Sequence, residues 1–190
     1  MSASPGAPES EAVRCFFALW PPAGAMEALG RQAASLAREL GGRRTRNESI
    51  HLTLAFLGDV SPAAIARLSE VPPDIPVAPF ELVVDRLGAW NHNGIGWAAP
   101  SAIPGPLMRL ERRLSRWLAQ EGFELDARPF RPHVTLVRRA TGRKAECGFE
   151  PVHWPVTEFV LVRSDRDAAG PVYRIVSRTA LPPANTENDT

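Results

Sequence analysis

The sequence predicts an α+β fold built on antiparallel sheets, with the two halves of the chain facing each other around a shared pocket. Three observations carry this. Long amphipathic helices are separated by many short strand-like runs in hairpin order, which argues against a parallel doubly wound sheet. The tetrad His-x-Thr-Leu occurs twice, as His51-Leu52-Thr53-Leu54 and His133-Val134-Thr135-Leu136. Each copy also follows the same succession of amphipathic helix, glycine stop and short arm. The arm runs 10 positions from Gly41 to His51 and 11 from Gly122 to His133. A unit used twice reads as an internal duplication, with a candidate site on its pseudo-twofold axis.

Taken in order, Val13 to Leu19 reads as a buried strand ended by Trp20-Pro21-Pro22. A helix follows over about Ala23 to Leu40. Its apolar positions are Met26, Leu29, Ala33, Leu36, Ala37 and Leu40, and Gly41 stops it. Arg43 to Arg46 reads as a short basic strand. Ile50 to Leu57 is the first His-x-Thr strand, closed by Gly58. Ser61 is an N-cap with Pro62 in the first helical position, opening a short helix to about Glu70. A proline-rich link, Val71 to Pro79, comes next. Phe80 to Ala89 and Ile95 to Ala98 read as strands joined by the turn Asn91-His92-Asn93-Gly94. The second long helix covers about Pro106 to Glu121, with Leu107, Leu110, Leu114, Trp117 and Leu118 on its apolar face. Phe123 to Asp126 is expected to be a short strand, and His133 to Val137 is the second His-x-Thr strand. Val156 to Val162 and Val172 to Thr179 are expected to be the last two strands, with a polar loop containing Gly170 between them.

The chain has 190 residues, 44% of them apolar, enough for one large domain or two small lobes. No apolar run approaches the ~20 residues of a membrane-spanning helix. Residues 1–12 and 182–190 are polar and are expected to be disordered tails around a body spanning 13–181. The first tail has neither a basic start nor an apolar stretch, so it does not read as a secretory signal. The net charge of +1 hides an asymmetry. Four acids, Glu9, Glu11, Glu187 and Asp189, lie in the tails, which leaves 22 bases against 17 acids, or +5. Of the bases, 21 are arginine and Lys144 is the single lysine. Arginine presents a planar fork suited to phosphate. Clusters at Arg43-Arg44-x-Arg46 and from Arg128 to Lys144 each flank a His-x-Thr copy. Cys15 and Cys147 are far apart and form no metal or redox motif, so a reduced cytoplasmic protein is expected.

In a strand, residues two apart share a face. Each motif therefore places an imidazole and a hydroxyl together. Strict alternation sends Leu52, Leu54 and Phe56 to the core, with Val134 and Leu136. Histidine can act as acid or base near neutrality. In a pair, one member can take a proton from an attacking water while the other donates to a leaving oxygen. The two Thr hydroxyls can hold the non-bridging oxygens of a phosphate. This layout suits metal-free cleavage of a phosphodiester. Zinc would need other signals: there is no H-E-x-x-H, no paired cysteine, and no carboxylate at ligand spacing from either histidine. His92, in a turn, and His153, beside Trp154-Pro155, read as surface or packing residues.

With these motifs the sequence resembles the 2H phosphoesterase superfamily, and within it the bacterial RNA 2′,3′-cyclic phosphodiesterases, the 2′-5′ RNA ligase family. The resemblance rests on Arg14 to Pro22 (R-C-F-F-A-L-W-P-P), His51 to Gly58 (H-L-T-L-A-F-L-G), Arg128 to Arg138 (R-P-F-R-P-H-V-T-L-V-R) and Gly170 to Tyr173 (G-P-V-Y). It implies a bilobed fold, two antiparallel sheets with outer helices flanking a central cleft. It implies metal-free hydrolysis of RNA 2′,3′-cyclic phosphate ends to 2′-phosphomonoesters, with no cofactor. It implies His51 as proton donor, His133 as proton acceptor, Thr53 and Thr135 on the phosphate, and Phe56 and Arg138 on the nucleotide. Phe56 and Arg138 each lie five positions after their histidine, and an odd offset reaches the histidine face only through a bulge, a strong twist or a strand end. A monomer acting on RNA ends, tRNA fragments among them, away from membranes, is expected. Two alternatives share the motifs: a phosphodiesterase of small cyclic or 2′-5′-linked nucleotides, and a module that binds RNA 2′-phosphates without turnover.

Overall fold

A computed structural model describes residues 12–70, 75–167 and 170–183. Residues 1–11 and 184–190, nearly all of the two expected tails, lie outside the described residues, as does the start of the proline-rich link. The elements run β1 (Val13–Leu19), α1 (Ala23–Leu40), β2 (Arg43–Arg44), β3 (Leu52–Val60), α2 (Pro62–Ser69), β4 (Phe80–Trp90), β5 (Ile95–Ala99), α3 (Gly105–Gln120), β6 (Val134–Arg138), β7 (Cys147–Val156), β8 (Glu158–Asp167) and β9 (Gly170–Ala180). A single 3₁₀ turn, Asn47–Ser49, leads into β3.

All pairings are antiparallel, and the strand order is β7-β4-β5-β6-β3-β1-β8-β9, with β2 added beside β6. The fold is α+β, as expected. The expected two sheets are joined into one nine-stranded sheet: β7-β4-β5-β6, with β2 beside β6, forms one side and β3-β1-β8-β9 the other, and the two sides meet at β3 and β6 through one register pair, Leu52 with Val134. The duplication is visible in the connectivity. β1-α1-β3 and β5-α3-β6 are equivalent strand–helix–strand units, and in each the two strands pair side by side.

The helices are exchanged between these units. α1 packs against β5, β6 and β7, in the half it does not connect, while α3 packs against β3. Leu36 and Leu40 of α1 close over Gly96 in β5, and Trp117 of α3 meets Phe17 of β1 at 6.2 Å between ring centroids. Burial of Leu29, Leu36 and Leu40 on α1, and of Leu107, Leu110, Leu114 and Leu118 on α3, builds one core from both halves. α1 ends at Gly41, φ 67, and its last turn is satisfied from the other half: the Leu40 carbonyl accepts from the Thr141 and Gly142 amides at 3.0 and 2.8 Å. Ser61 caps α2 by accepting from the Ala64 amide.

Three strand expectations need correction. Phe123 to Asp126 is not a strand: among the described residues no strand pairs with it, and Phe123 and Leu125 pack half-buried against the core. Val156 does not begin a strand but ends β7, a ten-residue strand that sequence reading missed, and β8 starts at Glu158. β7 carries Pro151 and Pro155, which argue against a central strand, but it lies at the sheet edge, where proline is tolerated. The third concerns where the motifs sit: β3 and β6 begin at Leu52 and Val134, one residue after each histidine.

Candidate active site

Both histidines sit on the last residue before a strand, and the β3–β6 junction brings them together. Because Leu52 pairs with Val134, the antiparallel register sets Thr135 across from His51 and Thr53 across from His133. Each imidazole is held in the same way. Nδ1 of His51 lies 2.7 Å from the Ser49 carbonyl, and Nδ1 of His133 lies 2.8 Å from the Arg131 carbonyl. A carbonyl can only accept, so Nδ1 carries the hydrogen in both rings. Nε2 is then a lone pair in the neutral ring and an N–H in the charged one. Either ring can act as acid or base through the same atom.

The same-face geometry of Phe56 and Arg138 comes from two equivalent bulges. In β3, Phe17 pairs with Ala55 and Ala18 with Thr53, which leaves Leu54 as an extra residue. In β6, Gly96 pairs with Val137 and Trp97 with Thr135, which leaves Leu136 extra. Leu54 and Leu136 are each three positions after their histidine. Consecutive residues Leu54-Ala55 and Leu136-Val137 therefore all point to the core, and alternation resumes on the other phase. The expectation that Phe56 is buried by strict alternation is corrected: it is 66% exposed and meets Phe16 at 5.8 Å on the histidine side. Arg138 lies close enough to both imidazoles to oppose their protonation.

The environments of the two rings differ. His51 is 9% exposed and enclosed by aromatic side chains. Trp20 stacks flat on it (5.4 Å, 6°), Phe16 lies 4.8 Å away, and Tyr173 meets it edge-on at 5.1 Å. Burial pushes its pKa down to about 4, partly offset by the Ser49 carbonyl and reinforced by Arg138 and His133. His133 is half-buried, with Trp90 edge-on at 4.6 Å. Burial lowers its pKa too, the Arg131 carbonyl opposes this, and Arg138 adds to it. Phe16 belongs to a small apolar cluster with Ala18, Val160 and Val162, against which Trp20 and Tyr173 also pack. Sequence reading assigned no role to Phe16, Trp20, Trp90 or Tyr173. They lie on strands and loops remote in sequence from the histidines, and no spacing rule links them.

Beside the pair lies a pocket of about 170 Å³ lined by Thr135, Arg138, Tyr173, Ser49 and the basic run Arg43 to Arg46. His92 is exposed in the β4–β5 turn, and His153 is exposed on β7, 3.1 Å from Glu81, so neither belongs to this site. Among the described residues, no three His, Cys, Asp or Glu side chains cluster at metal-ligand spacing, and no helix is long and apolar enough to cross a membrane.

A duplicated antiparallel sheet with a His-x-Thr motif on each side of its central β3–β6 junction is the architecture of the 2H phosphoesterase class. Within it the chain belongs to the 2′-5′ RNA ligase superfamily, whose family model matches residues 20–168. The RNA 2′,3′-cyclic phosphodiesterase of Escherichia coli is 33% identical over 174 residues, covering 90% of this chain and 98% of that one. The RNA 2′,3′-cyclic phosphodiesterase of Thermus thermophilus is 28% identical over 187 residues, covering 89% and 90%. The crystal structure of E. coli LigT complexed with 3′-AMP matches with a TM-score of 0.79 at 31% identity, over 90% of this chain and 99% of that one.

Proposed function

We propose that this chain hydrolyses RNA 2′,3′-cyclic phosphate ends to 2′-phosphomonoesters by paired-histidine acid–base chemistry, without a metal or cofactor. The observation that carries the reading is the matched pair of Nδ1–carbonyl bonds, which leaves both Nε2 atoms available on adjoining strands. In the proposed step, Nε2 of His133 takes a proton from water as its oxygen bonds to phosphorus. The bond from phosphorus to the 3′ oxygen breaks, and Nε2 of His51 gives that oxygen a proton. Thr53 and Thr135 donate to the non-bridging oxygens. Phe56 offers an exposed ring for base stacking, and Arg138 faces the phosphate charge. The donor must arrive charged, although burial keeps His51 neutral in the free protein. The anionic phosphate offsets that cost, and the stacked indole of Trp20 favours the imidazolium. The chain is taken to act as a cytoplasmic monomer, with tRNA fragments among its substrates.

The test is incubation with a 2′,3′-cyclic-ended oligonucleotide, with the product identified by phosphorus NMR. A 2′-monoester is expected. EDTA should leave the rate unchanged. His51→Ala and His133→Ala should each lower kcat by at least about 10²-fold, the lower end of what a positioned acid or base contributes, with the far-ultraviolet circular dichroism spectrum of the folded protein preserved. A 3′-monoester, or either variant at full rate, rejects the assignment.

A further inference from the structure

His51 and His133 are each held by the carbonyl two residues earlier, but the two carbonyls are steadied by different means. The arm before His133 reads Arg128-Pro129-Phe130-Arg131-Pro132, with prolines four and one positions ahead of the histidine. Each proline fixes its own φ. Pro132 is buried as well, so the Arg131 carbonyl is set largely by the covalent chain. The arm before His51 has Asn47 and Ile50 at those two positions. Ile50 is fully buried and pins the end of the 3₁₀ turn. The start of the turn has neither a proline nor a side-chain cap. Its own bonds are two: the Ser49 amide to the Arg46 carbonyl at 2.9 Å and the Ile50 amide to the Asn47 carbonyl at 3.0 Å. A turn this short is weak alone.

Helix α1 supplies the missing restraint. Gly30 is buried inside α1, where glycine costs stability relative to alanine. A Cβ there would lie 2.7 Å from Cγ of Asn47, so the Asn47 side chain fills the notch that the absent methyl leaves on the helix. Oδ1 of Asn47 also accepts from Arg44, which ties the turn to β2. At the other end of the turn, the Ser49 carbonyl meets Nδ1 of His51 at 2.7 Å. We infer that Asn47 is a positioning residue for His51: seated in the Gly30 notch, it holds the turn so that the Ser49 carbonyl keeps the hydrogen on Nδ1 and leaves Nε2 for the substrate. For what Nε2 then does, the inference rests on the hydrolysis reading above.

The experiment has two readouts. Long-range proton–nitrogen NMR of the substrate-free full chain at neutral pH shows which ring nitrogen of each neutral imidazole carries the hydrogen. Steady-state kinetics on the cyclic-ended oligonucleotide give kcat and KM. In the full chain His51 should show the Nδ1–H form alone. Asn47→Ala empties the notch and Gly30→Ala fills it, and each should let the Nε2–H form appear at His51 but not at His133. Each should lower kcat about tenfold and leave KM within about twofold, a smaller loss than the roughly 10²-fold that about 1 Å of misplacement produces. Asn47→Asp keeps the shape and the acceptor for Arg44 and should restore both readouts. In Gly30→Ala/Asn47→Ala the new methyl takes the vacated notch, so the loss should be smaller than the two single losses combined. Circular dichroism checks that each variant is folded, and Gly30→Ala serves if Asn47→Ala is not. His51 in the Nδ1–H form alone in both single variants overturns the inference. So does a loss confined to KM, which would make Asn47 a support for Arg44 only. A full chain with no turnover overturns the hydrolysis reading, and the NMR result still decides the contact.

Discussion

Burial of His51 has a consequence that can be measured without any substrate. Its folded pKa of about 4 lies below the ordinary value of 6.5. Between those values the unfolded chain binds a proton that the folded chain excludes. Stability therefore falls as pH drops from 6.5 toward 4 and is fully present above 6.5. At pH 5 the loss from this one group is about 2 kcal/mol. His133 is shifted in the same direction and adds to it. Urea unfolding at pH 7.5 and pH 5 should show this loss in the wild type and a smaller one in His51→Gln. An identical loss in both would place the titration elsewhere. The two histidines and two threonines were legible in the sequence because a repeated tetrad is a local pattern. The aromatic enclosure was not. Trp20, Phe16 and Tyr173 lie in two of the segments that carry the family resemblance, but they meet His51 only after β1, β3, β8 and β9 pair, so their sequence marks them without saying what they enclose.

The bulges show how an element re-aims side chains that its pattern would misplace. Period-two alternation puts Phe56 inside, and one extra residue at Leu54 puts it outside. A bulge is set by the partner strand, so sequence periodicity alone could pose the problem but not resolve it. The same holds for β7, whose prolines are explained only by its edge position. Elements also carry strain toward the site. A Cβ on Gly88 of β4 would lie 2.3 Å from the Trp97 ring of β5. Trp97 is 6% exposed and cannot swing out; it packs on Trp90 at 5.6 Å, and Trp90 packs on His133 at 4.6 Å. Gly88→Ala should therefore cost about 1–3 kcal/mol, the range for overpacking a core, and lower kcat more than it raises KM. Gly24→Ala is the contrast. It has open space around it in the first turn of α1 and should leave both the rate and the stability near wild type. An equal effect from the two would remove the Gly88–Trp97–Trp90–His133 chain as the cause.

The exchange of helices decides how the whole molecule unfolds. A duplicated chain could consist of two separable lobes, since each half owns at least four strands and a long helix. Here α1 covers β5 and β6 while α3 covers β3, so each half would expose its sheet if the other came apart. The single β3–β6 register pair is too little to couple them; the helices supply the coupling. We propose on this basis that residues 13–181 form one cooperative domain. Unfolding in urea, followed by tryptophan fluorescence and by far-ultraviolet circular dichroism, should give coincident single transitions. Leu36→Ala gives the sharper test. Leu36 is 1% exposed on α1, and its contact across the exchange is with β5 at Gly96. Its truncation should cost about 2–5 kcal/mol, as for other buried leucines. Hydrogen exchange should then quicken equally in β1–β3 and in β5–β6, because the two sets of strands open only together. Faster exchange confined to β5 and β6 would mean that the halves are independent. The site would then sit between two moving bodies rather than inside one.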